Sequence, residues 1–321
     1  MMSTRIKTVE TQGYDLIGDI HGEADQLKSL LERLGYRWTK GVLRHPAGRQ
    51  AIFLGDLIDR GPKVYETLAL VKAMVDTAAA LMVLGNHEFN FLCMKTPNGS
   101  GGFLRKQSDH NLNVSRMTLE AFEGKHTELC EYLEWFRTIP LCLDLGRIRV
   151  VHAEWNDELV AEVNGRSRLT DDFLREAVTK GSRPHLIIET LLKGTEARLP
   201  APFTVLANDG KERDMARVRW PVAAAGSSWR EITFAPDVAS VDAAFLESQV
   251  PKDLGRRILG YGANNPPVFF GHYAVEGRPN GRITPNAACL DYGCGKREGA
   301  RLAAYRWSGE EKLLPANFFT A

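Results

Sequence analysis

The residues best suited to chemistry lie in one short stretch, residues 55–61, which reads Gly-Asp-Leu-Ile-Asp-Arg-Gly. It places Asp56, Asp59 and Arg60 directly after an apolar run and just before Pro62, a residue that favours the start of a helix. Ligands of open α/β sheets bind beyond the carboxyl ends of strands, where such a charged loop would lie. Alone, the stretch fits an ordinary turn with a surface ion pair equally well.

Further apolar runs also end in residues that can bind a metal ion. Together with Asp56, the candidate ligands are Asp19, His21, Asn86, His152 and His272. Carboxylate and imidazole donors suit a pair of divalent ions and favour Mn, Fe or Zn. The loops contain no thiolate ligand, which argues against a structural zinc site.

The composition limits the classes of partner. The chain has 321 residues, of which 44% are hydrophobic, and its formal net charge is +1. It can bury one large core or two modest ones, and its balanced charge gives no reason to expect nucleic acid or a membrane as partner.

The first residues lack the apolar segment of a signal peptide, and no run approaches the roughly 18 apolar residues of a membrane span. Five scattered cysteines indicate reduced thiols. We therefore expect a cytoplasmic protein.

The elements that position the candidate ligands follow a strand–loop–helix order. Apolar residues at helical spacing predict a helix over residues 23–34 and another over 64–75, each preceded by a strand, with a third strand at 80–84. Such units predict a parallel sheet with right-handed crossovers, so that the charged loops emerge on one edge. Residues 117–137 predict one helix. Residues 141–151 predict a hairpin.

Two stretches are harder to interpret. Residues 96–113 are rich in Gly, Asn and Ser and predict a solvated connector, with a lid over the substrate as the alternative. Residues 156–255 show helix-like pieces at 170–179 and 185–192 and a turn at 208–210. Because this region lies between two ligand loops, we expect an inserted cap over the cleft. Between Asn156 and Trp220 it contains 11 Lys and Arg residues and 11 Asp and Glu residues, a balance that argues against a nucleic-acid platform.

Two metal ions about 3.5–4 Å apart can share a hydroxide and clamp a phosphoryl group during in-line displacement. One carboxylate must bridge the ions, and Asp56 is placed for that role. We expect Asp19 and His21 to complete the first site. The second site would be completed by Asn86, His152 and His272.

The remaining charged groups then have roles near the phosphate. His87 would be the general acid for the leaving oxygen, and Asp59 would orient its imidazole. Arg60 would bind phosphate oxygens as a fork, and Asn86 would also face the substrate.

These motifs together resemble the calcineurin-like metallophosphoesterases, and within them the phosphoprotein phosphatase branch. The family pattern Gly-Asp-x-His-Gly, Gly-Asp-x-x-Asp-Arg-Gly, Gly-Asn-His-Glu and two later histidines is found at 18–22, 55–61, 85–88, His152 and His272. The resemblance implies an α/β fold, a β-sandwich flanked by helices in α-β-β-α layers. It also implies two divalent ions, with manganese first and iron, zinc, nickel or cobalt as alternatives.

The resemblance covers about 14–155 and 266–307. We expect one domain over 1–321, with its core at 14–155 and 260–315 and with 156–255 as the cap-like insertion. The chain departs from the family at Glu154, which places a carboxylate near the cleft where a Gly is usual. The family's second phosphate-binding Arg lies in the insertion, where Arg219 is the first candidate, ahead of Arg183 and Arg230.

The function implied by the resemblance is a metal-dependent phosphomonoesterase, with phosphoserine or phosphothreonine protein as its substrate. A diadenosine tetraphosphate hydrolase is a sibling alternative, although Asp59 weighs against it because that group tends to lack this residue. A polynucleotide-end phosphatase gains no support from the charge. From a different class, the chain could be an inactive binding module scaffolded by metal, but every candidate ligand and the acid are present. The sequence leaves the oligomeric state open.

Overall fold

A computed structural model of the chain describes residues 13–206, 212–234, 242–277 and 283–321. Two β-sheets form its centre. The strands of the first are β1 (Tyr14–Ile17), β4 (Gln50–Phe53), β5 (Ala80–Met82), β14 (Ala303–Trp307) and β15 (Phe318–Thr320). Their spatial order is β15-β14-β1-β4-β5. The parallel pairing predicted for the first three strands is confirmed, whereas β14 joins β1 in the antiparallel sense.

The second sheet contains β6 (Cys142–Asp144), β7 (Arg149–Val151), β12 (Val268–Phe270) and β13 (Ala287–Cys289), in the order β13-β12-β7-β6. The predicted hairpin is confirmed, because β6 and β7 pair antiparallel around Gly146. The central strand β12 runs parallel to both of its neighbours.

The two sheets pack face to face because their strands alternate in the direction of their side chains. Leu16 and Ile52 of the first sheet share a buried cluster with Val150 and Phe269 of the second. The next residues along these strands belong to a separate cluster that includes the apolar faces of the flanking helices. The result is a helix–sheet–sheet–helix sandwich, which confirms the predicted fold class.

The helices of the first half are α1 (Ala24–Arg33), α2 (Val64–Asp76), α3 (Asn86–Lys95), α4 (Asp109–Val114), α5 (Arg116–Ala121) and α6 (His126–Thr138). A hairpin of β2 (Arg37–Thr39) and β3 (Val42–Arg44) joins α1 to β4. The first two helices lie where the spacing of apolar residues predicts them. The single helix predicted over 117–137 is wrong: the chain leaves the helix at 122–125, where Gly124 takes a φ of 73° that a helix cannot contain.

The stretch 96–113 is tied at its base and exposed at its tip. The N–H of Leu104 donates to the Thr96 carbonyl at 2.9 Å, and the N–H of Arg105 donates to the Cys93 carbonyl at 3.1 Å. Residues 97–103 are exposed, as the connector interpretation predicts, and the end of the stretch forms part of α4.

The region 156–255 consists of short elements. They are α7 (Asp157–Val163), α8 (Asp171–Ala177), α9 (Arg183–Ile188), a π-helical turn (Glu189–Lys193), β8 (Glu196–Arg198), β9 (Val205–Leu206), β10 (Glu212–Arg213), β11 (Met215–Arg217), α10 (Trp229–Ile232), α11 (Ala243–Leu246) and α12 (Lys252–Arg257). Strands β8 and β11 pair as an antiparallel ribbon. The turn predicted at 208–210 lies outside the described residues. Within the described ranges, none of the helices has the length and apolar character needed to cross a membrane.

Candidate metal centre

The predicted ligands lie at the carboxyl ends of five strands. Asp19 and His21 follow β1, Asp56 follows β4, Asn86 begins α3 after β5, His152 follows β7 and His272 follows β12. These strand ends meet at one edge of the sandwich. The side chains therefore converge, although residues as far apart as 19 and 272 supply them.

Asp56 lies at the middle of the cluster. Its Oδ2 atom is 3.6 Å from His21 Nε2 and 3.9 Å from His87 Nε2, while its Oδ1 atom is 3.4 Å from His152 Nε2. Two buried groups of potential ligands share this residue, one with His21 and His87 and the other with Asp19 and His152. Asp56 thus has the position that a bridging carboxylate needs.

The other two predicted ligands adjoin this group. Asn86 Oδ1 lies 3.0 Å from His152 Nε2 and 2.8 Å from His272 Nδ1. The backbone N–H of His272 donates to both carboxylate oxygens of Asp19 at 3.2 Å. The structure therefore brings all six predicted ligands into one cluster.

Backbone contacts fix which nitrogen of each imidazole faces the cluster. His21 Nδ1 lies 2.9 Å from the Ile58 carbonyl oxygen, and His152 Nδ1 lies 2.7 Å from that of Leu54. A carbonyl oxygen only accepts, so each Nδ1 carries a proton and each ring turns its Nε2 toward Asp56.

The residues present fit two divalent ions. Within the described part of the chain, His21 Nε2 and Asp56 Oδ2 are buried and have no hydrogen-bond partner. Buried polar atoms normally find a partner, and an ion between these two atoms would supply one. The mixture of imidazole, carboxylate and amide donors suits Mn, Fe or Zn.

The backbone around the cluster is strained. His21, Asp56 and His272 have φ values of 46°, 52° and 71°, in the left-handed region that side chains rarely enter. A Cβ atom on Gly85 would lie 2.2 Å from the Asp56 nitrogen, so only glycine lets α3 approach the Asp56 loop this closely. Such strain concentrates at functional sites.

Glu88 holds the loop that carries Asp56, although the sequence pattern assigns it no role. Its buried carboxylate accepts the N–H groups of Asp56, Leu57, Ile58 and Gly85, at 2.9, 2.7, 3.3 and 3.0 Å. The signal that could have revealed it is its place at the third position of α3, where Glu caps the start of a helix.

His87 and Asp59 form a pair beside the cluster. His87 Nδ1 lies 2.6 Å from Asp59 Oδ2, which leaves Nε2 on the side of Asp56. Thr118 of α5 fixes the carboxylate: its hydroxyl donates to Asp59 Oδ1 and accepts the N–H of Asp59 at 3.0 Å. No feature of the sequence indicates this contribution of Thr118.

Burial and neighbouring charges shift the ionisation of the cluster in opposite directions. Burial, followed by the Asp291 carboxylate, raises the pKa of Asp19 well above its usual range. Burial opposes ionisation of Asp56, but the His152 and His87 rings hold its pKa well below its usual range. Burial likewise opposes protonation of His152, but Asp56 raises its pKa to about 9. Without metal, the charged forms of Asp56 and His152 therefore stabilise each other.

The candidates for contact with a phosphate are Arg60, Arg217 and Arg219. Arg60 is exposed, and its side chain makes no hydrogen bond or ion pair with another described residue. Arg217, on β11, acts on His272: after burial, its charge is the next cause of the lowered pKa of that ring. Arg219 is half-buried, with its guanidinium 5.6 Å from the centre of the Phe234 ring.

The two lower-ranked candidates for the second phosphate-binding arginine form ion pairs at the surface. Arg183 forms ion pairs with Glu158 and Glu162, and Arg230 forms one with Glu247 at 2.5 Å. Arg217, which the sequence did not single out, lies on β11 two residues before Arg219, and its charge acts on His272.

The segment after His152 is bonded to the region predicted as a cap. The Trp220 indole N–H donates to the Ala153 carbonyl at 2.8 Å, and the N–H of Thr195 donates to the Glu154 carboxylate at 2.6 Å. Glu154 was expected to place a carboxylate near the cleft. Its carboxylate accepts the N–H of Thr195, at the start of the β8–β11 ribbon.

Comparison with known proteins agrees with the predicted fold. The family model described as calcineurin-like phosphoesterase matches residues 15–205. The chain belongs to this family.

Among curated proteins, the chain is similar to proteins of two organisms, each named bis(5'-nucleosyl)-tetraphosphatase PrpE [asymmetrical]. The protein of Geobacillus thermodenitrificans is 36% identical over 143 residues, which cover 43% of this chain and 56% of the relative. That of Halalkalibacterium halodurans is 47% identical over 130 residues, which cover 40% and 50%. The chain thus spans about half the length of these relatives.

Among solved structures, the chain is similar to a protein serine/threonine phosphatase from Saccharomyces cerevisiae, described as similar to human phosphatase PP5. The TM-score is 0.52 and the identity is 14%, over 98% of this chain and 80% of the other. At this identity the likeness shows the fold alone.

Proposed function

We propose that this chain is a metal-dependent hydrolase of phosphate monoesters, with phosphoserine or phosphothreonine in a protein as the first substrate class. The observation that carries the proposal is the pair of His87 and Asp59, joined at 2.6 Å beside Asp56. The alkoxide that leaves from such an ester is strongly basic and needs a proton. An imidazolium whose Nδ1–H is held by Asp59 can donate that proton from Nε2.

The buried cluster supplies the metal sites of this proposal. Asp56 would lie between two divalent ions, with manganese as the first choice. The other ligands would be Asp19 and His21 for one ion and Asn86, His152 and His272 for the second. Two such ions neutralise the charge of a phosphoryl group and provide a nucleophile from water at neutral pH.

Arginines would bind the phosphate itself. Arg60 would bind phosphate oxygens as a fork, and it has no competing side-chain partner among the described residues. A phosphate dianion spreads its charge over several oxygens, so a second cation is needed. Arg217 and Arg219, at the end of β11, are the candidates for it.

Hydrolysis of dinucleoside polyphosphates is the second candidate, and the names of the curated relatives support it. The two candidates differ in what they require of His87. The leaving group of a polyphosphate is itself a phosphate, whose last pKa is about 6, so it departs without a proton from the enzyme. A phosphoprotein substrate requires the acid.

A substrate panel tests the proposal. Mn-loaded protein would be assayed with a phosphoserine peptide, diadenosine tetraphosphate and a 5'-phosphorylated oligonucleotide, and kcat/KM compared. We expect the phosphopeptide to give the highest value. A clear preference for diadenosine tetraphosphate would replace the first candidate by the second. Failure to hydrolyse any of the three with metal bound would contradict a phosphoesterase and favour a metal-scaffolded binding module.

A further inference from the structure

Lys296 places a positive charge directly on a predicted metal ligand. Its Nζ atom lies 3.3 Å from Asp19 Oδ2 and 2.7 Å from Asp291 Oδ2. Both carboxylates are fully buried, and the lysine side chain is only 13% exposed. Asp19 Oδ2 is also the oxygen that faces His21 Nε2, at 3.9 Å. The ammonium and an ion bound by Asp19 and His21 would therefore share one oxygen.

Asp291 fixes the ammonium in this place. Its Oδ2 atom accepts the N–H of Ala274 at 2.7 Å, and its Oδ1 atom accepts the N–H of Gly293 at 2.9 Å. Asp19 is fixed as well, by the backbone N–H of His272. Lys296 thus lies between two buried carboxylates that each accept hydrogen bonds from the backbone.

We propose that Lys296 is a built-in cation of the metal centre. It stabilises the metal-free protein, and it makes the site formed by Asp19, His21 and Asp56 bind its ion more weakly than the other site. This inference rests on the metal centre of the proposed function. Lys296 is a positioning residue in this role, because it acts through Asp19 and not on the substrate.

The two effects follow from the same charge. Without metal, Asp19, Asp56 and Asp291 bring buried carboxylates together, and an unpaired buried charge is strongly destabilising. The ammonium offsets part of this cost. When a divalent ion binds to Asp19, the same ammonium becomes a like charge a few ångströms away and reduces the gain from binding. Removal of the charge should therefore lower the stability of the metal-free protein and increase the affinity for metal.

The test is a calorimetric titration of metal-stripped protein with Mn²⁺, together with the melting temperature of the metal-free protein. For Lys296→Met we expect the weaker of the two Mn²⁺ sites to tighten by about tenfold or more, with a smaller change at the other site. The melting temperature of the metal-free variant should fall. Lys296→Arg keeps the charge and should retain both properties of the wild type.

Lys63→Met is the matched control. Lys63 pairs with Asp25 at 2.6 Å on the surface, so the same substitution there should change neither the Mn²⁺ affinities nor the melting temperature appreciably. Unchanged or weaker Mn²⁺ binding by folded Lys296→Met would overturn the proposal.

If Lys296→Met does not fold without metal, its release of Mn²⁺ to a chelator is measured instead. Slower release than from the wild type is then expected, and equal or faster release overturns the proposal. A wild-type protein that binds no Mn²⁺ would overturn the dimetal centre itself. Two wild-type sites that are unaffected by Lys296→Met would overturn only the role of Lys296.

Discussion

Replacement of Glu88 by glutamine tests how the loop with the bridging carboxylate is held. One oxygen of Glu88 accepts the N–H groups of Leu57 and Ile58, and the other accepts those of Asp56 and Gly85. Glutamine keeps the size and shape of the side chain. It replaces one of the two oxygens by an NH₂ group, which donates hydrogen bonds and cannot accept them from the backbone.

The size of the effect follows from these contacts. Whichever way the amide is turned, two buried backbone N–H groups lose their acceptor. A buried donor without a partner costs about 1–3 kcal/mol, so Glu88→Gln should lower the free energy of unfolding of the metal-free protein by about 2–6 kcal/mol. That is a large part of the roughly 5–15 kcal/mol by which a domain is stable.

Urea unfolding of metal-stripped protein measures this loss, with Glu66→Gln as the control. Glu66 lies in the first turn of α2, as Glu88 lies in the first turn of α3. Glu66 is exposed, however, whereas Glu88 is buried. The control should change the free energy of unfolding by less than about 1 kcal/mol. If Glu88→Gln changes the free energy of unfolding by a similarly small amount, with an unchanged slope against urea concentration, the role assigned to the carboxylate is refuted.

The remaining predictions concern groups around the phosphate. His87→Asn should keep its Mn²⁺ content and slow alkyl phosphates much more than p-nitrophenyl phosphate, whose phenolate leaves without a proton; an equal loss on both would remove the acid role. Arg217→Ala should weaken inhibition by phosphate with the metals retained, and if only Arg219→Ala does so the second cation is Arg219. Glu154→Ala leaves the N–H of Thr195 without its acceptor. It should cost about 1–3 kcal/mol in urea unfolding and raise KM more than it lowers kcat, whereas unchanged KM would show that the ribbon does not contribute to binding.

The ligand loops could be predicted because each is a local pattern. An apolar run followed by Asp, Asn or His marks a buried strand and the residue beyond its end, and parallel strands bring such residues to one edge. Asp19, Asp56 and His152 therefore come together as expected. The family resemblance supplied what the local patterns lack, namely that two sheets pack as a sandwich.

What the sequence did not reveal depends on contacts between distant segments. Lys296 meets Asp19 across 277 positions of the chain, and no spacing rule connects them. Glu88 carries a visible capping signal, but its main partners lie 30 to 32 residues away. The antiparallel β14 is likewise set by its pairing with β1 and not by its own residues.

The most direct test of the dimetal centre is the metal content and turnover of Asp56→Asn. Asp56 lies within 3.4 to 3.9 Å of His21, His87 and His152, so the loss of its charge should weaken both sites at once. The wild type should bind two Mn²⁺ per chain by elemental analysis and hydrolyse p-nitrophenyl phosphate. Asp56→Asn should bind less than two and lose turnover. Full turnover with two ions retained would contradict a centre bridged by Asp56.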